Sequence, residues 1–276
     1  MKAMKKFLAI TLAAVMLPLA LNAQDIKVMS YNIRNSESKD GTNSWMYRYI
    51  STAEMFKDQQ ADIWGIQEAK EEQLYFIEQN FRDYKYVGGG SEDGKKKGEY
   101  TAICWNKKTM SMLDWDMFWL SETPDTPSKG WDGEKNCTAT WALMKDKKSG
   151  NRFYFVNIDI DEKGTEARRN SIRLIMDRIA SINKNSLPVV LVGGFDMKPY
   201  DALLTSVEEN MSNARKTAEK TDNTGTYNNW GKNSDILDHV FYSGFSACPE
   251  YQTVTKKYAE HKFVSDHYPM MVRLSF

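Results

Sequence analysis

Apolar residues recur along this chain at two different periods, and each period predicts a type of element. Ile26, Val28 and Ile33 mark a strand over residues 26–33. Trp45, Tyr49, Ala53 and Phe56 fall at i, i+4, i+8 and i+11, which predicts a helix over residues 45–59 with that face inward. A short apolar strand at 63–67 and a helix at 71–81 follow, then a Gly/Lys loop at 88–98. Strands then dominate: residues 101–105, 110–120, 138–144 and 153–160 carry β-branched or aromatic side chains between turn signals. The clearest helix spans 166–182, where Ile172, Ile175, Ile179 and Ile182 form one stripe. The unbroken apolar run at 188–192 reads as a strand covered on both faces, and two more strands are expected at 239–242 and 269–274. This order predicts an α/β sandwich: two packed mixed β-sheets flanked by helices, in one domain over residues 24–276.

The first residues stand apart from that pattern. Lys2, Lys5 and Lys6 precede an apolar stretch at 7–21, and Asn22-Ala23-Gln24 offers a small residue at a cleavage point. Residues 1–23 therefore read as a secretory signal peptide, too short for a permanent membrane span. The mature protein is expected to be secreted or periplasmic, with no integral membrane segment after cleavage. Without the three leader lysines, 34 basic residues face 37 acidic ones. A nearly neutral chain lacks the field that non-specific nucleic-acid binding requires, so nucleic acid is not expected as a partner. Lys95, Lys96 and Lys97 sit among glycines and read as a solvated loop. Cys104, Cys137 and Cys248 are odd in number and have no zinc spacing. They leave room for one disulfide or for three small buried side chains.

Candidate chemistry sits at strand ends. The run Ser265-Asp266-His267-Tyr268-Pro269 places a carboxylate beside a histidine just before the last strand. The chain has three histidines (His239, His261 and His267), so no histidine from the first 238 residues can serve a site. Asn32, Glu68, Asp159, Asp161 and Asp196 also close or follow apolar strands, which suggests convergence on one pocket.

The ordered set of motifs resembles the endonuclease/exonuclease/phosphatase superfamily. It comprises Ser-Tyr-Asn-Ile at 30–33, Asp-Ile-Trp-Gly-Ile-Gln-Glu at 62–68 and Gly98-Glu99-Tyr100. It continues with Gly-Thr-Glu-Ala-Arg-Arg at 164–169, then Asp238, then Ser265-Asp266-His267. The resemblance implies a four-layer α/β sandwich and metal-assisted phosphoester hydrolysis. By position, Glu68 would hold Mg²⁺ or Mn²⁺, with Asn32 close to the ion and the phosphate. Asp266 would pair with His267 and fix its tautomer, and Asp238 would support them. Asp196 joins the catalytic candidates, while Tyr100 and Asp159 are candidate substrate contacts.

Two signature segments depart from the family pattern. Where the family has Asn-Thr-His-x-Asp-His, this chain has Asn157-Ile158-Asp159-Ile160-Asp161-Glu162. Where it has Gly-Asp-x-Asn, this chain has Gly193-Gly194-Phe195-Asp196. A carboxylate that orients water has become a glycine, and a donor to phosphate has become an acid. Asp196, two residues further along the same strand face, would lie roughly 6–7 Å from the missing group. Losing one such donor costs about 2.7–4 kcal/mol of transition-state stabilisation, so classical phosphodiesterase activity is expected to be impaired. Three readings stay open: a metal-dependent hydrolase of a small phosphorylated molecule with a rearranged site, a catalytically inactive binding protein, and a carboxylate-based hydrolase acting on glycans.

Overall fold

Parallel pairing shapes the chain path twice. The structure, a computed structural model, describes residues 25–276, so the predicted leader lies outside the described residues. β1 (Asp25–Asn32), α1 (Trp45–Gln59) and β2 (Ile63–Ala69) form the first crossover unit, because β1 and β2 are parallel and the chain must return outside the sheet. α2 (Glu71–Asn80), β3 (Tyr84–Val87), β4 (Tyr100–Asn106), β5 (Met110–Trp119) and β6 (Thr138–Asp146) follow. β7 (Arg152–Asp159), α3 (Thr165–Ile182) and β8 (Val189–Gly194) make the second parallel crossover. The chain closes with α4 (Ala202–Glu208), β9 (Ser212–Asn213), α5 (Ala214–Thr217), β10 (Asp238–Ser243), β11 (Ala247–Thr253) and β12 (Met270–Ser275).

The strands form two mixed six-stranded sheets, ordered β11-β12-β1-β2-β4-β3 and β5-β6-β7-β8-β10-β9. Three apolar layers hold them. Val28, Ile63, Phe155 and Val192 belong to the layer between the sheets. Met55 and Phe56 of α1 and Leu74 and Ile77 of α2 pack with Trp64 on the outer face of the first sheet. Ile172, Ile175 and Leu191 pack α3 onto the second. This is the expected four-layer sandwich. The strand expected at 188–192 is β8, which starts one residue later and is buried along its whole length, as the continuous apolar run predicted. No helix among the described residues is long and apolar enough to cross a membrane. All three cysteines are free and buried, so the disulfide alternative is not realised.

One expected face is wrong. α1 buries Arg48, Thr52, Met55 and Phe56, while Tyr49 is exposed and Ala53 only half-buried. Trp45 and Tyr49 pack edge-on against Phe76 of α2 instead, at 5.6 and 5.5 Å. Periodicity permitted both stripes. The choice fell to Arg48, whose guanidinium donates to the carbonyls of Ile33, Arg34, Asn43 and Val264 at 2.6–2.9 Å. No charge count anticipates a fully buried arginine satisfied by backbone alone. Strands β3, β9 and β11 and the short helices α4 and α5 were also not predicted; each is short or lies at or next to a sheet edge.

The two sheets touch through a polar contact beneath the site. Asn157 of β7 is fully buried and donates to the carbonyls of Ile66 (3.1 Å) and Ala102 (2.8 Å). Its Oδ1 accepts from Gln67 Nε2 at 2.6 Å. Gly65 makes this approach possible, because a Cβ there would lie 2.7 Å from Asn157 Oδ1. Replacing Asn157 by Leu removes three buried hydrogen bonds across the sheet interface. The expected loss is about 2–4 kcal/mol in urea unfolding, and a loss below ~0.5 kcal/mol would contradict this account of the contact.

Candidate active site

One edge of the sandwich gathers the functional side chains. Asn32 and Glu68 end the parallel pair of the first sheet, and Asp159 and Gly194 end that of the second. Antiparallel β10 and β12 begin at the same edge, which brings in Asp238 and, just before β12, Asp266 and His267. All of these except Asp238, which lies behind His267, border a cavity of about 230 Å³. Arg34, Glu68 and Asp196 all have left-handed backbones, with φ of 58°, 57° and 51°. For non-glycine residues that conformation costs of order 1–3 kcal/mol each, and here it coincides with the cleft. The β2–β4 ladder shifts register between Ile66 and Ala69, and this irregularity re-aims Glu68.

The first half of the site is built on Glu68. Its Oε1 accepts from Asn32 Nδ2 at 2.8 Å, and its Oε2 lies 3.8 Å from Arg34. Burial pushes the Glu68 carboxyl up, yet Lys135, Asn32, His267 and Arg34 outweigh it and hold the group below its ordinary range. Glu68 is thus a half-buried, ionised carboxylate. Arg34 also reaches Asp40 (3.1 Å) and Asp266 (3.5 Å).

The second half centres on His267. Its Nδ1 donates to Asp238 Oδ2 at 2.7 Å, and its ring lies 4.8 Å from that of Tyr227. Burial alone would lower the His267 pKa, but the carboxylates of Asp238, Asp266 and Glu68 push it up to about 10. The imidazole is therefore charged at neutral pH. The expected Asp266–His267 pairing is corrected: Asp238 is the partner, while Asp266 takes Arg34 and the Ser265 hydroxyl. Asp266 lies in a bend before β12, and its side chain turns to Arg34 and Ser265 rather than to the neighbouring ring. The other histidines serve structure. His239 meets the Met197 carbonyl at 2.7 Å, and burial lowers its pKa to about 4. His261 bonds the carbonyls of Phe263 and Thr42.

The third group surrounds Asp159. Lys135 Nζ lies 3.2 Å from Asp159 Oδ2 and 3.4 Å from Glu99 Oε2. Burial, then Glu68 and Glu99, raise the Asp159 pKa to about 6 against the pull of Lys135. Burial, then Asp159 and Asp238, raise Asp196 to about 7 against the pull of His267. Asp196 does not lie on the strand face assumed from spacing: β8 ends at Gly194, and the left-handed turn at Asp196 brings it to the cleft wall. Asp161 is spent elsewhere, accepting four backbone N–H groups from residues 134, 135, 163 and 164 at 2.6–3.3 Å. Tyr100 is also corrected as a cleft residue. It is buried, with its hydroxyl on the Lys95 carbonyl at 2.6 Å. The preceding Glu99 lines the cavity instead, because successive strand residues face opposite ways.

A model of the Endonuclease/Exonuclease/phosphatase family matches residues 29–267. The chain belongs to that family. A family member of solved structure from Bacteroides thetaiotaomicron is 31% identical, with a TM-score of 0.86 over 92% of this chain and 98% of its own. A mannosyl-6-phosphatase from the same species is also 31% identical, with a TM-score of 0.86 over 91% of this chain and 100% of its own. An uncharacterized protein of Acanthamoeba polyphaga mimivirus is 28% identical over 207 residues, covering 69% of this chain and 75% of the relative.

Endonuclease/exonuclease/phosphatase proteins usually depend on a divalent metal, and the residues here can be tested for fit. Among the described residues, no three His, Cys, Asp or Glu side chains converge to chelate an ion by themselves. Mg²⁺ does not need such a cage, since it retains several waters and takes one or two carboxylates. Glu68, half-buried yet ionised and braced by Asn32, fits that requirement. The cavity wall also carries six carboxyl side chains against three basic ones, an imbalance that a cation relieves.

Sequence reasoning missed Arg34, Glu99, Lys135 and Tyr227 as cleft residues. Arg34, Lys135 and Tyr227 come from loops, where no periodicity points inward. The signal for Glu99 was present, since it sits one residue before a strand in a motif already singled out. The Asp238–His267 pair carries a direct test. Asp238→Asn removes the nearest negative charge, so the His267 ring should titrate well below 10 and towards the ordinary imidazole range. Proton NMR of the ring from about pH 5 to about pH 11 reads this out. An unchanged titration would show that Asp238 does not hold the charge.

Proposed function

We propose that this chain is an exported, divalent-metal-dependent hydrolase that removes phosphate from a small phosphorylated sugar. The observation that carries this reading is the facing of a charged His267, held by Asp238, and an ionised Glu68, braced by Asn32, across one small polar cavity. A cavity of about 230 Å³ suits a phosphate group with a small organic moiety better than a nucleic-acid strand. The likeness to a mannosyl-6-phosphatase at 31% identity over nearly the whole chain supports a sugar phosphate as substrate.

In this reading Glu68 and Asn32 hold Mg²⁺ or Mn²⁺. The ion, when bound, supplies charge neutralisation and a template for in-line attack. His267 donates a hydrogen bond or proton to a phosphoryl or leaving-group oxygen, and Asp238 keeps it charged and oriented. Asp196, with a pKa near 7, exchanges a proton at neutral pH. Gly194 and Asp159 differ from the family pattern and slow phosphodiester cleavage. The same two residues favour a second reading, a cation-loaded binding protein without turnover.

Phosphate release from a panel of sugar phosphates with Mg²⁺ or Mn²⁺ separates the readings. Release is expected, should stop with a chelator, and should fall at least about 100-fold in Glu68→Gln and in His267→Ala. If metal binds calorimetrically but no phosphate ester turns over, the binding reading replaces this one. Chelator-resistant cleavage of unphosphorylated glycans would instead assign the acids a glycosidase role. Export is checked by the intact mass of the secreted or periplasmic product, which should begin at Gln24.

A further inference from the structure

Three features outside the Glu68 and His267 groups fit together at one point. Gly194 sits directly beside Asp159 in the parallel β7–β8 register. A Cβ at Gly194 would lie 2.9 Å from Asp159 Oδ1 and 3.9 Å from Asp238 Oδ1. The Asp159 carboxylate therefore occupies the space that any side chain at 194 would enter. Its other oxygen holds Lys135 at 3.2 Å.

The loop carrying Lys135 is built to reach that point. Asp161 accepts the backbone N–H groups of Glu134 and Lys135 on one oxygen and those of Lys163 and Gly164 on the other. Asp132 accepts from Ala167 (2.7 Å) and Glu166 (3.2 Å) at the start of α3. Both carboxylates tie the loop to the α3 end of the cleft.

A phosphate entering this acid-rich cavity needs a cation with a donor to spare. Arg34 also lines the cavity, but its Nε and Nη2 donate to Asp40 and its Nη1 faces Glu68 at 3.8 Å, so its free donors serve the Glu68 half of the cleft. Lys135 has three N–H donors, of which Asp159 and Glu99 take two. No third acceptor lies within hydrogen-bond reach of Nζ among the described residues, and the side chain, 41% exposed, lines the cavity.

We propose that Lys135 binds the phosphoryl group of the substrate, positioned by Asp159 in the space that glycine at 194 leaves open. This rests on the phosphoester reading and adds a residue to it. An ammonium from a neighbouring loop thereby supplies the donor that the acid at 159 cannot. Asp159 is a positioning residue in this arrangement, because it acts through Lys135.

Titration calorimetry with inorganic phosphate, with and without Mg²⁺, tests the assignment without relying on turnover. Lys135→Met should weaken phosphate binding at least about tenfold, and Lys135→Arg should retain most of it. On a sugar phosphate that the native protein cleaves, Lys135→Met should raise KM more than it lowers kcat. Gly194→Ala displaces the Asp159 carboxylate, so it should weaken phosphate binding in the native background and have no further effect in Lys135→Met. Phosphate affinity of folded Lys135→Met within about twofold of native overturns the role of Lys135. Equal losses from Gly194→Ala in both backgrounds overturn the positioning by Asp159. Lys135-dependent phosphate binding without turnover of any ester would sink the hydrolase reading alone. Turnover unaffected by Lys135→Met would sink this inference alone.

Discussion

The Asn157 side chain, wedged between the two sheets, is the contact on which the site depends. It binds β2 and β4 from β7 by three hydrogen bonds, inside a largely apolar layer that a buried Thr138–Thr101 hydrogen bond also crosses. Buried polar groups of this kind fix a unique arrangement, because a slipped sheet would leave them unpaired. One residue beyond Gln67 stands Glu68, and two beyond Asn157 stands Asp159. The register set by this amide is thus passed directly to the two halves of the cleft. Gly65 is part of the same device, since its missing side chain lets the sheets come this close.

Above that contact the cleft is an electrostatic compromise. Carboxyl groups from both sheets crowd in and around the cavity, and three cations pair with several of them: Arg34 with Asp40 and Asp266, His267 with Asp238, and Lys135 with Asp159 and Glu99. The partition explains why Glu68 stays ionised while Asp159 and Asp196 are pushed towards neutral pH. The cations also reach Glu68, whereas Asp159 and Asp196 face other acids as well as their cations. Left-handed backbone at Arg34, Glu68 and Asp196 shows where the fold tolerates strain to aim these groups.

The departures from the family pattern take a different meaning in three dimensions. In the linear sequence Gly194 reads as the loss of a functional group and Asp159 as a misplaced charge. In space they are neighbours, and the one accommodates the other. The charge at Asp159 is answered by Lys135 from a loop more than twenty residues upstream. A substitution that looks incompatible with phosphate chemistry in isolation is embedded in a matched set.

Much of the fold was legible before any coordinates. Residues 188–192 and the isoleucine stripe of 166–182 are patterned so strongly that burial can take only one form. Two β-to-helix-to-β units imply parallel pairs, and parallel pairs imply helices outside the sheets. The ordered motifs also located Asn32, Glu68, Asp238 and His267 at strand ends. Tertiary structure decided who touches whom. Whether His267 pairs with Asp266 or Asp238 depends on which strand lies alongside, not on adjacency in the chain. Which face of α1 turns inward depended on four carbonyls that bind Arg48, three from the chain between β1 and α1 and one from Val264, 216 residues away. Lys135 entered the cleft because Asp161 and Asp132 bind its loop to the start of α3. Periodicity encodes burial, which is local and repeats along the chain. Pairing of charges depends on distances of 3–4 Å between segments far apart in sequence, and only the packed sheets set those distances.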